Sequence, residues 1–197
     1  MYIRIDTLPM KLKNKYYLIR HGRALSNEKK VISCWPENFK NFITKEGRQQ
    51  IKKATEYFKD KDIDLIFSSD LLRTKQSAEI IGKKLKIKPL YDKRLREYNV
   101  GDLNGIPTPD LKSYFESIAQ RFTKTPPHGE NYRQMGKRIE SFLKNMEKKY
   151  NGKNIVIVSH QVTLSMISAK LESLPEKEAI EKYFENRRMK NAEIREF

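Results

Sequence analysis

Cysteine is nearly absent: Cys34 is the only one in 197 residues. An intrachain disulfide is therefore excluded, and no zinc site can rest on thiolates alone. Glycine and proline are scarce too, eight of each, and neither collects into a linker-like stretch. The length then favours one compact domain over residues 1–197, large enough to bury a real core. No apolar run approaches the roughly 18 residues of a membrane span. Met1 to Asn14 lacks the apolar centre of a signal peptide, and no structure is legible in it. These absences lead to the expectation of a cytoplasmic protein without membrane contact.

Acid is the other deficit. Twenty-five acidic residues face 41 basic ones, a net charge of +16, and mean hydropathy is −0.78. Such a surface attracts anions. The lysines nonetheless run from Lys11 to Lys190 with no arginine-rich block or basic strip interleaved with aromatics, which argues against nucleic acid as the partner. A lysine bias also arises from general amino-acid usage and then needs no partner.

What is present reads as alternating strands and helices. Tyr16–Ile19, Leu65–Phe67 and Ile155–Val158 are apolar runs nearly free of charge, as expected for strands buried on both faces of a parallel sheet. Between them apolar residues recur every three or four positions: Ile51, Ala54 and Phe58 after a Thr44 cap; Leu71, Thr74, Ala78, Ile81 and Leu85; Met135, Ile139, Phe142, Met146 and Tyr150. Pro109 and Pro175 suit first helical turns, leading apolar faces at Leu111, Phe115, Ile118 and Phe122, and at Ile180, Tyr183 and Phe184. Ala192–Phe197 reads equally as a short edge strand or a frayed end. The pattern predicts an α/β fold.

Polar residues follow the buried strands directly: Arg20-His21-Gly22 the first, Ser68-Ser69 with Arg73 the second, Ser159-His160 the third. In an open parallel sheet the residues just past the strand carboxyl ends gather in the ligand crevice. Guanidinium forks clamp phosphate oxygens, and a neutral imidazole can attack phosphorus. Taken singly, each histidine reads as well as an incidental loop residue, and Arg20 and Arg73 as surface charges.

The surrounding segments are more specific. Arg20-His21-Gly22 with Asn27, Thr44-Lys45-Glu46-Gly47 with Gln50, Ser68-Ser69-Asp70-Leu71-Leu72-Arg73, Leu95-Arg96-Glu97, Gly129-Glu130-Asn131-Tyr132 and Val158-Ser159-His160 resemble, in order, the motifs of the histidine phosphatase superfamily, also called the phosphoglycerate mutase-like family. The resemblance implies a three-layer α/β/α sandwich with a mostly parallel central sheet, and a two-step phosphatase mechanism without metal or cofactor, acting on a small phosphorylated metabolite. In it His21 attacks phosphorus, Arg20, Arg73 and His160 hold the equatorial oxygens, Asn27 helps fix the phosphate, and Glu97 protonates the leaving oxygen. Without that context Glu97 reads as a solvated partner of Arg94 or Arg96.

Departures from the family pattern bear on the substrate. Gln161 follows the second histidine, as in the fructose-2,6-bisphosphatase branch, where this glutamine and a tyrosine matching Tyr132 hold a distal phosphate. Ser165 stands where an arginine is common, so Arg121, Lys124 or another lysine would have to supply that charge. Only 63 positions separate Glu97 from His160, and a short lid excludes water poorly, which favours hydrolysis over mutase chemistry. His128 is expected in a turn above the site. A mutase, and a catalytically weak module that binds phosphorylated ligands or polyanions, are the competing readings.

Overall fold

A computed structural model describes residues 11–197, with the side chain of Lys112 left aside; residues 1–10 of the expected N-terminal extension lie outside the described residues. In chain order the elements are β1 (Lys15–Arg20), α1 (Leu25–Lys29), α2 (Lys45–Thr55), β2 (Leu65–Ser68), α3 (Leu72–Leu85), β3 (Leu90–Tyr91), α4 (Thr108–Tyr114), α5 (Tyr132–Lys149), β4 (Asn154–Ser159), α6 (Gln161–Leu171), α7 (Glu176–Ala179) and β5 (Ile194–Glu196). The strands form one sheet in the order β3-β2-β4-β1-β5, parallel throughout except for β5, which runs antiparallel to β1. The C-terminal segment is thus an edge strand.

The apolar runs explain the layers. Side chains alternate across a strand, so every second residue serves each face. Tyr16, Leu18, Ile155 and Ile157 meet Met135, Ile139 and Phe142 of α5 and Leu164 and Ile167 of α6. Tyr17, Ile19, Val156 and Val158 meet Ile51 of α2 and Ala78 and Ile81 of α3. A sheet covered on both faces gives the α/β/α sandwich. Burying each such side chain contributes about 1.5–3 kcal/mol before the ordering entropy is charged against it.

The structure corrects three helix readings. The face from Leu111 to Phe122 is not one helix: α4 holds Pro109 in its first turn but stops at Tyr114. Phe115 is extended (φ −115°, ψ 130°), and Ala119–Phe122 forms a separate 3-10 turn. Phe115 and Phe122 are both buried, so the spacing reported burial without reporting that the chain bends between them. Pro175 sits just outside α7 as its cap. Beyond Ala179 the helix widens into a π-helical stretch, Ile180–Asn186, where the neighbouring Tyr183 and Phe184 are both buried.

Candidate active site

The parallel register assembles the site. Arg20 pairs with Ser159 and Ser68 with Val158, so the residues that follow β1, β2 and β4 meet at one end of the sheet. His21 and His160 lie with ring centroids 5.4 Å apart. Both are buried, and the His160 Nε2 is 2.9 Å from the Ser69 hydroxyl.

Two glycines make room for this loop. A Cβ on Gly22 would sit 2.3 Å from the carbonyl oxygen of Gly47, and one on Gly47 would sit 2.1 Å from that of Arg23, both far inside van der Waals contact. The His21-Gly22 loop therefore lies directly on the first turn of α2. There Thr44 caps the helix through Gly47 N–H (3.0 Å), and the Gln50 side-chain oxygen accepts from Arg23 N–H (3.0 Å). That contact is the physical content of the Thr-x-x-Gly-x-x-Gln pattern.

A cavity of about 530 Å³ opens over the strand ends. Arg20, His21, Asn27, Arg73, Glu97, Tyr132 and Gln161 all line it. Of the residues the family resemblance places around the phosphate, His160 alone does not line it: it is 0% exposed, and its Nδ1 has no hydrogen-bond partner among the described residues.

Hydrogen bonds set the state of each group. The His21 Nδ1 lies 2.8 Å from the Gly22 carbonyl oxygen, which can only accept, so the proton sits on Nδ1 and Nε2 carries the free lone pair. Burial holds the His21 imidazole well below its ordinary pKa, and Arg73 and Arg20 add to this by repulsion. Burial does the same to His160, reinforced by Arg73, His21 and Arg20. Arg20 is pulled down to about 10, chiefly by burial and further by Arg73, while Glu97 opposes the shift. Its Nη1 donates to the Met189 carbonyl (2.8 Å), and its Nε is buried without a partner.

The Asn27 amide has a fixed orientation. Its Oδ1 accepts from Ala24 N–H (2.9 Å) and from the Asn191 side chain (3.4 Å), which leaves its NH2 as the free donor. The Glu97 carboxylate rests on the first turn of α6, accepting from Thr163 Oγ1 (3.2 Å), Thr163 N–H (3.3 Å) and Val162 N–H (3.4 Å), and from Tyr98 N–H (2.9 Å). A helix start favours an acidic group there. Arg138 secures the segment from behind, donating to the carbonyls of Arg94 and Glu97 while it pairs with Glu130.

Farther from the sheet the wall carries Phe115, Ile118, Arg121, Ser165, Phe184 and Arg188. Arg121 and Arg188 therefore bring positive charge where Ser165 brings none. Lys124 is not in the wall; it donates to the Tyr114 carbonyl (3.0 Å). His128 does occupy a turn, but its ring is 85% exposed, pairs with Asp102 at 3.0 Å and does not line the cavity. Glu37, Arg138 and Asn191 escaped the sequence reading because the contacts that tie them to Arg73, Glu97 and Asn27 span 36, 41 and 164 positions and follow no local spacing; Arg188 escaped it because only the fold brings it to the cavity wall. Among the described residues no group of three or more His, Cys, Asp or Glu is arranged to hold a metal, and no helix is long and apolar enough to cross a membrane.

Known proteins align with this arrangement. The chain is 28% identical over 164 residues to an Escherichia coli O1:K1 protein named "Probable phosphoglycerate mutase GpmB", covering 81% of this chain and 75% of that one. A solved mycobacterial glucosyl-3-phosphoglycerate phosphatase superposes with a TM-score of 0.80 at 23% identity, covering 93% of this chain and 92% of the other. The alpha-ribazole phosphatase from Shigella flexneri gives 0.76 at 23% identity, covering 92% and 89%. At that identity the likeness establishes the fold. The profile of the histidine phosphatase superfamily (branch 1) matches residues 16–196, and the chain belongs to that superfamily.

Proposed function

We propose that this chain is a metal-independent phosphatase that hydrolyses monoesters of small phosphorylated metabolites through a phosphohistidine on His21. The observation that carries the reading is a buried His21 whose Nδ1 is tied to the Gly22 carbonyl while the ring lines a cavity shared with Arg20, Arg73 and Glu97; burial holds its pKa down, which favours the neutral imidazole.

The reaction runs in two displacements. Nε2 of His21 attacks phosphorus as the bond from phosphorus to the ester oxygen breaks, and Glu97 gives that oxygen its proton. Arg20 and Arg73 hold the equatorial oxygens, and the Asn27 NH2 adds a third donor. The Ser69 hydroxyl donates to His160 Nε2, which puts the His160 proton on Nδ1, the atom without a protein partner and so the donor this reading assigns to the same anion. Water then attacks the phosphohistidine, Glu97 takes its proton, the phosphorus–nitrogen bond breaks and inorganic phosphate leaves. A cavity of this size suits a metabolite rather than a phosphoprotein surface. Tyr132 and Gln161 face the leaving group.

His21→Ala is expected to abolish turnover of 4-nitrophenyl phosphate while leaving the unfolding curve in place, and EDTA is expected to leave the wild-type rate unchanged. Retained activity in the variant sinks the mechanism, and strict dependence on added metal sinks the metal-independent form of it. The relative named for mutase activity supports a second reading, in which the phosphoryl group returns to the substrate. Given 3-phosphoglycerate, a hydrolase releases free phosphate and a mutase forms the isomer.

A further inference from the structure

Arg73 is one of the largest fully buried side chains in the molecule, 2% exposed, and its hydrogen bonds use one edge of the guanidinium. Nη1 donates to Glu37 Oε1 (2.9 Å) and lies 3.5 Å from the Ser33 hydroxyl; Nη2 donates to the Ser33 carbonyl (2.9 Å). Those bonds engage both terminal nitrogens of the guanidinium through two residues of one loop, Ser33 and Glu37. Nε makes no bond to the protein among the described residues, and together with Nη2 it forms the side fork that grips an oxyanion in two-point fashion.

Glu37 also reaches the helix that carries Arg73: its Oε2 accepts from Leu72 N–H (3.2 Å), the first residue of α3, whose cap position, Leu71, has no side-chain acceptor of its own. One carboxylate thus fixes both the root and the tip of the arginine. The loop bearing it is held in turn. Asn104 donates to the Pro36 carbonyl (2.8 Å) and accepts from Cys34 N–H (3.0 Å). Trp35 stacks on Arg96 at 5.1 Å, and Arg96 is locked to Asp70 by two bonds of 2.7 and 2.6 Å.

We infer that Glu37 is a positioning residue for phosphoryl transfer: it anchors the end of the Arg73 guanidinium so that the side fork is presented to the phosphate, and it does so without touching substrate. The inference rests on the phosphatase reading. A donor aimed at charge that develops in the transition state acts mainly on kcat. Glu37 also removes one negative charge's worth of attraction from the pocket, so deleting it does not weaken the ground-state hold on phosphate.

Glu37→Ala and Glu37→Gln, assayed with 4-nitrophenyl phosphate, separate these effects. Glu37→Ala is expected to lower kcat about 10- to 100-fold without raising KM, because a loosened arginine loses transition-state geometry first. Orthovanadate, which mimics the transferring phosphoryl group, is expected to bind about tenfold more weakly, and inorganic phosphate no more weakly than before. Glu37→Gln keeps an oxygen for Nη1 and is expected to recover most of kcat. A Glu37→Ala enzyme within about twofold of wild type in kcat overturns the inference. So does a variant in which kcat, KM and both inhibition constants deteriorate together with the unfolding midpoint, with Glu37→Gln no better, since that pattern marks a loop prop. Wild type and His21→Ala on the same substrate report the phosphatase reading alone, so its failure is distinct from failure at Glu37.

Discussion

The two buried imidazoles make stability depend on pH in a window where few other groups titrate. Burial and the neighbouring guanidiniums keep His21 and His160 well below their ordinary pKa, so both stay neutral in the native chain as the pH falls. The unfolded chain has no such constraint and takes up a proton at each as the pH drops through about 6.5. Below that point it binds two protons that the native state refuses, and unfolding becomes easier with acid. Their stabilising contribution is present above about pH 6.5 and is lost progressively toward the depressed native values. Between pH 7.5 and 5.5 each imidazole costs about 1.4 kcal/mol, and the pair about 2.7 kcal/mol. Carboxylates with ordinary unfolded values add under about 0.1 kcal/mol each at pH 5.5, so they do not mask the effect. Urea unfolding at pH 7.5, 6.5 and 5.5, in a buffer free of phosphate, measures the slope directly. His21→Gln is expected to halve it and His21→Gln/His160→Gln to flatten it. A wild-type unfolding free energy that is constant across the window refutes the electrostatics argued for the site, as does an unchanged slope in the double variant. Added inorganic phosphate is expected to reduce the slope, because an anion between Arg20 and Arg73 favours the protonated imidazoles.

Two further outcomes follow from contacts at the same end of the sheet. Ser69→Ala removes the partner of His160 Nε2 and is expected to cost about tenfold in kcat with little change in KM, since the ring loses the bond that fixes its tautomer; nitrogen NMR of the imidazole in both proteins checks the tautomer, and a kcat within about twofold of wild type rejects the role. Gly22→Ala places a methyl group 2.3 Å from the Gly47 carbonyl oxygen, where only backbone can yield. A loss of about 3 kcal/mol in urea unfolding is expected, and a loss under about 1 kcal/mol would show that the loop and α2 are not in the contact described.

How legible this was in the sequence depended on whether a residue's role is set by its neighbours along the chain. β1, β2 and β4 were readable because strands buried on both faces must be apolar at every position, and His21, Ser69 and His160 were readable because they directly follow such strands. β3 was not: Leu90 and Tyr91 are both exposed, so nothing marks two residues as a strand except the partner they lie beside. The break in the Leu111–Phe122 face was invisible for a related reason, since spacing reports which residues are buried and not the path between them. At the site, Arg20, His21, Arg73 and His160 stood out by their place after the buried strands, and Glu97 only through the resemblance of Leu95-Arg96-Glu97 to a family motif. Glu37 and Asn191 did not, because a loop carboxylate or a C-terminal amide acquires meaning only when the fold brings it against Arg73 or Asn27.

The order of the sheet explains why such a site tolerates so little adjustment. β4 lies between β1 and β2, and all three run parallel, so His21, Ser69 and His160 are each the first residue past a strand whose position is fixed by hydrogen bonds to its neighbour. Slipping β1 by one residue against β4 would turn Tyr17 and Ile19 from the face covered by α2 and α3 toward the face covered by α5 and α6. It would also carry His21 about 3.3 Å along the strand relative to Ser69 and His160, farther than a hydrogen bond is long. The apolar alternation that holds the core therefore holds the register, and the register holds the imidazoles at contact distance. Precision at this end of the sheet is a by-product of burying both faces of it, and in the proposed mechanism the loops need only supply what the strands cannot: the carboxylates that aim an arginine and receive a proton.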